Sequence, residues 1–138
     1  MLFSNDFQRG DFLIRNVLGA DKDSGGLAIA ERVRVGQTVQ FHVRDADSAD
    51  EDLRELLEQD IEHAEGASPA GALLFSCNGR GTRMFDRPCH DAGVFSEVMG
   101  HVPLAGFFAA GEIGPIGNEN FIHGFTASLA MFRPRDGS

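Results

Sequence analysis

The chain has 138 residues, enough for one domain with a core of its own, and 42% hydrophobic with 24% charged residues is ordinary globular usage. Twenty-one acidic residues against twelve basic give a net charge of −9, which opposes binding to nucleic acid or anionic lipid. No stretch approaches the roughly 20 apolar residues of a membrane span, no charged-then-apolar leader precedes the fold, and two cysteines make no disulfide framework, so a reducing cytoplasm is the expected address.

In chain order, residues 1–10 are mixed and polar, and we read them as a fraying segment. Phe12 to Leu18 reads as a strand, Asp21 to Gly26 as a turn rich in turn formers, and Leu27 to Ala30 as the second strand of a hairpin. Thr38 to Arg44 alternates, with Val39, Phe41 and Val43 on one side and Gln40, His42 and Arg44 on the other, which predicts a half-buried strand. The basic cluster Arg32, Arg34, His42 and Arg44 then falls on the wet face of that sheet.

Ser48 with Glu51 has the spacing of a capping box, and Leu53, Leu56, Leu57, Ile61 and Ala64 follow at helical spacing up to Gly66, a natural stop. Gly71 to Cys77 is an unbroken apolar run, as is Val102 to Ala109, and each is bounded by glycine, the pattern of strands buried on both faces. A shorter helix near Asp91 to Met99 lies between them, with Asp91 read as its cap and Gly100 as its end. Strand, helix and strand in about this length make a right-handed crossover, hence parallel strands ending on one rim. Phe121 to Phe132 reads as a last strand in a hairpin with its predecessor. The expected fold is α+β: a mixed, largely antiparallel sheet of five to six strands with two helices, in the order β-β-β-α-β-α-β-β.

Chemistry concentrates at the ends of the two buried strands: Cys77-Asn78-Gly79-Arg80-Gly81 after the first, and Gly111-Glu112-Ile113-Gly114 after the second. Arg80 offers a planar fork for a carboxylate or phosphate, and Glu112 an acceptor for an ammonium group, a pair suited to a zwitterion. Gly79 and Gly81 let backbone N–H groups approach an anion closely. The bland alternative is that Arg80 and Glu112 pair with each other and close the end of the sheet. Cys77 could line the floor of a pocket, be an inert packing thiol, or act as a nucleophile with His90, His101 or His123 as base. Cys77, Cys89, His90 and His101 lack the close cysteine pair of a structural zinc site. His123 reads as a hydrogen-bonded histidine on the apolar face of Phe121, Phe125 and Leu129. The loop is not a P-loop, and Gly79-x-Gly81 alone does not make a dinucleotide site.

At these residues the chain resembles the C-terminal domain of FIST proteins. The likeness is carried by Arg34–Asp45 (RVGQTVQFHVRD), Gly71–Gly81 (GALLFSCNGRG), Val102–Pro115 (VPLAGFFAAGEIGP) and the closing Asn120–Thr126 (NFIHGFT). It runs from about Asp11 to Phe132, which sets residues 11–133 as the domain and 134–138 as a tail. The resemblance implies a sensory domain of signal transduction that binds a small ligand, an amino acid or related small carboxylate, without catalysis and without a cofactor. Related proteins usually carry a FIST N-terminal domain ahead of this one, and we expect none in this chain. A FIST N-terminal domain or signalling protein would then act in trans, and an apolar surface left bare would favour a homodimer. The ligand-site residues expected are Cys77, Asn78, Gly79, Arg80, Gly81, Gly111, Glu112 and Gly114. The competing readings are an interaction module without a pocket and a cysteine-dependent enzyme using Cys77.

Overall fold

The computed structural model describes residues 11–65 and 67–134. They divide into two compact units, one reaching His42 and including Pro115–Phe121, the other formed by Val43–Gly114 and the chain from Ile122 onward. The fraying expected of residues 1–10 and the stop expected at Gly66 lie outside the described residues.

In the first unit, β1 (Val17–Ala20) and β2 (Leu27–Ile29) pair antiparallel, the hairpin the turn formers predict, though β1 starts well after Phe12. Its turn is closed by the Asp21 N–H on the Gly26 carbonyl at 2.8 Å and by the Ser24 hydroxyl on the Asp21 carboxylate at 2.5 Å. The alternating stretch Thr38 to Arg44 is not a strand, and Val39 and Phe41 stand 65% and 77% exposed. Alternation makes a strand only where a neighbour accepts its backbone groups and a layer covers its apolar side. None of the described strands pairs with this stretch, so its basic residues are not the wet face of a sheet.

The second unit opens with α1 (Ala46–His63), whose N-cap is Asp45 rather than Ser48. The Asp45 carboxylate accepts from the Ser48 N–H at 2.8 Å and its hydroxyl at 3.0 Å, so the expected cap serves instead as the donor inside the first turn. Leu53 and Leu57 are buried along the predicted stripe. After it come β3 (Gly71–Cys77), the short α2 (Gly81–Met84), α3 (His90–Met99) and β4 (Leu104–Ala109). α3 ends at Gly100, as predicted, but its N-cap is Cys89, and Asp91 lies inside the helix facing β3.

β3 and β4 are parallel, in register from Ala72 opposite Leu104 to Cys77 opposite Ala109. On the other side of β3 runs β7 (Ala127–Phe132), antiparallel, so β3 is the centre of a three-stranded sheet. The expected pairing of the last strand with its predecessor is therefore wrong. β5 (Glu112–Ile116) and β6 (Glu119–His123) form their own hairpin around Gly117-Asn118 and leave β7 to reach β3. The α+β class holds. Among the described residues the single sheet becomes sheets of two, three and two strands, and the helices number three.

Alternation along β3 sends Ala72, Leu74 and Ser76 toward the helices and Leu73 and Phe75 away from them. On the helix side Leu53 and Leu57 of α1, Ala72 of β3, and Val94 and Phe95 of α3 form the core, with Leu104, Leu129 and Met131 packed against it. Leu57, Val94 and Phe95 are fully buried, and burial of such side chains contributes about 1.5–3 kcal/mol each. Arg133 after β7 ties the sheet to α1 through Asp60 and to the Ala67 carbonyl at 3.0 Å. β4 lies so close to β3 that a Cβ on Gly106 would run into the Leu74 carbonyl. Only glycine fits there.

Candidate functional site

Parallel pairing brings the segments after β3 and β4 to one rim, as the sequence predicts. The Asn78 N–H donates to the Ala109 carbonyl at 2.8 Å, and the Cys77 N–H to the Thr126 carbonyl at 2.9 Å. The start of β7 therefore joins the ends of β3 and β4, and three pieces of chain converge around Cys77.

Arg80 is buried, with 6% of its surface exposed. Its fork closes on Asp91, Nε to Oδ2 at 2.9 Å and Nη2 to Oδ1 at 2.8 Å, and Nη2 also reaches the Ala49 carbonyl at 3.3 Å. The Ser76 hydroxyl donates to the same carboxylate at 2.7 Å. Burial pushes the Asp91 carboxyl up, but the Arg80 and Ser76 hydrogen bonds outweigh it and hold the group below its usual range. His90 lies flat against Phe85 with ring centroids 3.4 Å apart, between Asp91 at 3.1 Å from Nδ1 and Asp50 at 2.8 Å from Nε2. Ionised carboxylates only accept, so both contacts are hydrogen bonds when both ring nitrogens carry hydrogen. Arg54 continues the chain of charge, bonding Asp50 and Glu97 at 2.7 Å each. The partner of Arg80 within the chain is thus Asp91 and not Glu112. The cluster binds α1, β3 and α3 together.

Glu112 is more deeply buried, at 3% exposure. Its Oε2 accepts from the Thr126 hydroxyl at 2.8 Å, and its Oε1 is buried without a hydrogen-bond partner, the single such side-chain atom among the described residues. Buried polar atoms are nearly always paired, with protein or with ordered water, so the unpaired Oε1 is an exception among the described residues. Gly111 and Ile113 on either side are exposed, as alternation along β5 puts them on the opposite face from Glu112.

The glycine loop is less open than the sequence suggests. The Phe125 ring, on a residue with φ +66°, lies against Gly79 where a Cβ would stand. The Arg44 guanidinium lies over the same ring, 3.2 Å from its centroid. Burial lowers the Arg44 pKa, and its interaction with Cys77 opposes that shift. Gly81 begins α2, with Phe108 3.4 Å from where its Cβ would be. The Gly114 carbonyl accepts from His123 Nε2 at 2.9 Å, which fits the hydrogen-bonded histidine expected there. Asn78 is exposed, Cys77 is buried, and Cys89 is exposed on a left-handed turn. Among the described residues, neither His90 nor His123 is hydrogen-bonded to Cys77. Sequence reasoning missed Thr126, Phe125 and Arg44 as neighbours of this rim. Only Thr126 carried a signal, as the hydroxyl entering the last strand.

Residues 1–115 match the FIST C domain. The chain belongs to the FIST C domain family. Membership points to a sensory domain of signal transduction. The chain is 56% identical over 124 residues to the uncharacterized protein Rv0628c of Mycobacterium tuberculosis and 57% identical over 124 residues to the uncharacterized protein Mb0898c of Mycobacterium bovis. Each match covers 90% of this chain and 32% of the relative, so this FIST C chain spans about a third of the length of the curated relatives it matches. No helix among the described residues is long and apolar enough to cross a membrane.

Proposed function

We propose that this FIST C domain is a non-catalytic sensory module that binds a small ligand bearing a hydrogen-bond donor, such as an amino acid, at the rim where β3, β4 and β7 meet. The observation that carries the reading is Glu112, a buried carboxylate with one oxygen satisfied by Thr126 and the other without a partner. Asn78 and the exposed backbone at Gly111 line the approach, and Cys77 is the floor beneath Thr126. Arg80 belongs to the scaffold, because Asp91 occupies its fork. The two free cysteines fit a reducing compartment such as the cytoplasm.

The test is a thermal-shift screen of amino acids and small carboxylates, since a ligand that prefers the native state raises the melting temperature. At least one compound is expected to raise it in a concentration-dependent way, and Glu112→Gln to reduce the response. A flat response across the whole screen would remove the sensor reading.

A second reading, docking of a protein partner, is favoured by Phe107 at 64% and Phe132 at 55% exposure on the sheet face turned away from the helices. The occupant would be a FIST N-terminal domain or signalling protein in trans, or a second copy of the chain. Light scattering at high micromolar concentration tests the homodimer, and a monomeric mass would exclude it.

A further inference from the structure

Resting on that reading, we propose that the site recognises its ligand by one end only: Glu112 Oε1 accepts a primary ammonium group, and no carboxylate on the ligand is needed for binding. Oε1 lies within a residue only 3% exposed and has no donor. A carboxylate oxygen can be satisfied by an N–H, an O–H, water's included, or a cation, and of these only a cationic donor also compensates the buried charge. Several donor classes are disfavoured by the surroundings. A metal ion needs several ligands, and among the described residues no group of three or more His, Cys, Asp or Glu side chains could hold one. A guanidinium prefers to grip both oxygens of a carboxylate in a fork, but Oε2 already accepts the Thr126 hydroxyl at 2.8 Å. An ammonium is a compact charge with three donors, so it can address one oxygen and compensate the buried charge at once.

The two groups that sequence spacing had marked for the opposite end of a zwitterion are both occupied among the described residues. The Arg80 fork is closed on Asp91 at 2.8 and 2.9 Å, and the Phe125 ring covers Gly79, which sequence spacing had marked for an anion. An amino acid would therefore bind through its amino group, and a simple amine would carry the recognised part.

The experiment is a titration of the 138-residue chain with four probes, followed by calorimetry and thermal shift: methylamine, alanine, N-acetylalanine and propionate. Methylamine and alanine are expected to bind and to raise the melting temperature, whereas N-acetylalanine and propionate leave it unchanged. Glu112→Gln should weaken methylamine at least tenfold. Glu112→Asp, which keeps the charge but withdraws it by one methylene, should weaken it less and serves if the glutamine variant fails to fold. Binding of propionate or N-acetylalanine as tight as that of alanine would overturn the one-ended recognition while leaving a small-ligand site in place. Unchanged methylamine affinity in both Glu112 variants would remove Glu112 as the acceptor. Silence toward all four probes, and toward the wider amino-acid screen, would overturn the inference and the sensor reading together.

Discussion

Arg80 and Glu112 are both withdrawn from water, at 6% and 3% exposure, and both stand just beyond a strand of the same parallel pair. Arg80 meets a carboxylate held by Ser76 and His90 as well, so its charge is matched inside the protein. Glu112 meets one hydroxyl and is left with an oxygen that nothing in the described chain satisfies. Folding tolerates the second arrangement only because the rest of the unit is stable without it. The contrast separates the two charges: Arg80 is matched inside the protein and holds the rim in place, whereas Glu112 is the group that, on the function proposed above, faces a ligand.

The largest effect should come from breaking the satisfied side. Asp91→Ala strands the Arg80 guanidinium in the interior, and loss of one partner of a buried pair costs about 3–5 kcal/mol. Urea unfolding at neutral pH checks this. Replacing both partners, Arg80→Met with Asp91→Leu, should cost clearly less than the sum of the single changes, because no unpaired charge remains. Acid probes the same cluster. The Asp91 carboxyl is held below its usual range despite burial, by Arg80 and Ser76, and Asp50 likewise, mainly by the Arg54 hydrogen bond. A depressed native pKa gives stability that is complete above the unfolded-state value of roughly 3.9 and is lost as pH falls through the native one. Between pH 6 and pH 3 the wild type should therefore lose more stability than Asp91→Asn. Parallel loss in both would detach the effect from Asp91.

The next effects concern the backbone that brings the two regions together. Gly106→Ala would drive a Cβ into the Leu74 carbonyl, which is backbone and cannot rotate away. Gly79→Ala meets the Phe125 ring, a side chain that can swing aside and give up its stacking with Arg44. Overpacking costs about 1–3 kcal/mol, and the Gly106 variant should fall at or above the upper end while the Gly79 variant falls near the lower. Equal melting temperatures for the two would mean that β4 shifts as easily as a ring turns.

The parts legible from sequence were those with a local cause. The apolar runs that became β3 and β4, their parallel pairing, and the Leu53 and Leu57 stripe of α1 follow from hydrophobic pattern and spacing, but β4 is not buried on both faces as its pattern predicts: it is an edge strand with Phe107 and Phe108 largely exposed. Gly117-Asn118, a two-residue hairpin turn with φ +58° at Gly117, was overlooked, and with it β5 and β6, because the stretch was read as leading into one long last strand. Thr38 to Arg44 misled because alternation states a preference for one wet face without supplying a neighbour. The partner of Arg80 was not legible, because an ion pair across eleven positions depends on the angle at which α3 crosses β3. Asp91 looked like a cap for the same reason: its neighbours in sequence were visible and its neighbours in space were not.

The smallest effects fall on the unsatisfied side, and their sign is the informative part. Thr126→Val removes the one protein donor to Glu112 and leaves both oxygens bare, a loss of about 1–3 kcal/mol. Glu112→Gln takes away the buried charge itself while keeping the size of the side chain. Without ligand, its stability in urea should equal or exceed that of the wild type, by up to about 1 kcal/mol, because an imperfectly paired carboxylate is exchanged for a neutral amide. A ligand that satisfies Oε1 should reverse the order, stabilising the wild type and leaving the variant unmoved. If Glu112→Gln instead loses as much stability as Asp91→Ala, Glu112 is a structural residue like Arg80, and the difference between the two ends of the strand pair disappears.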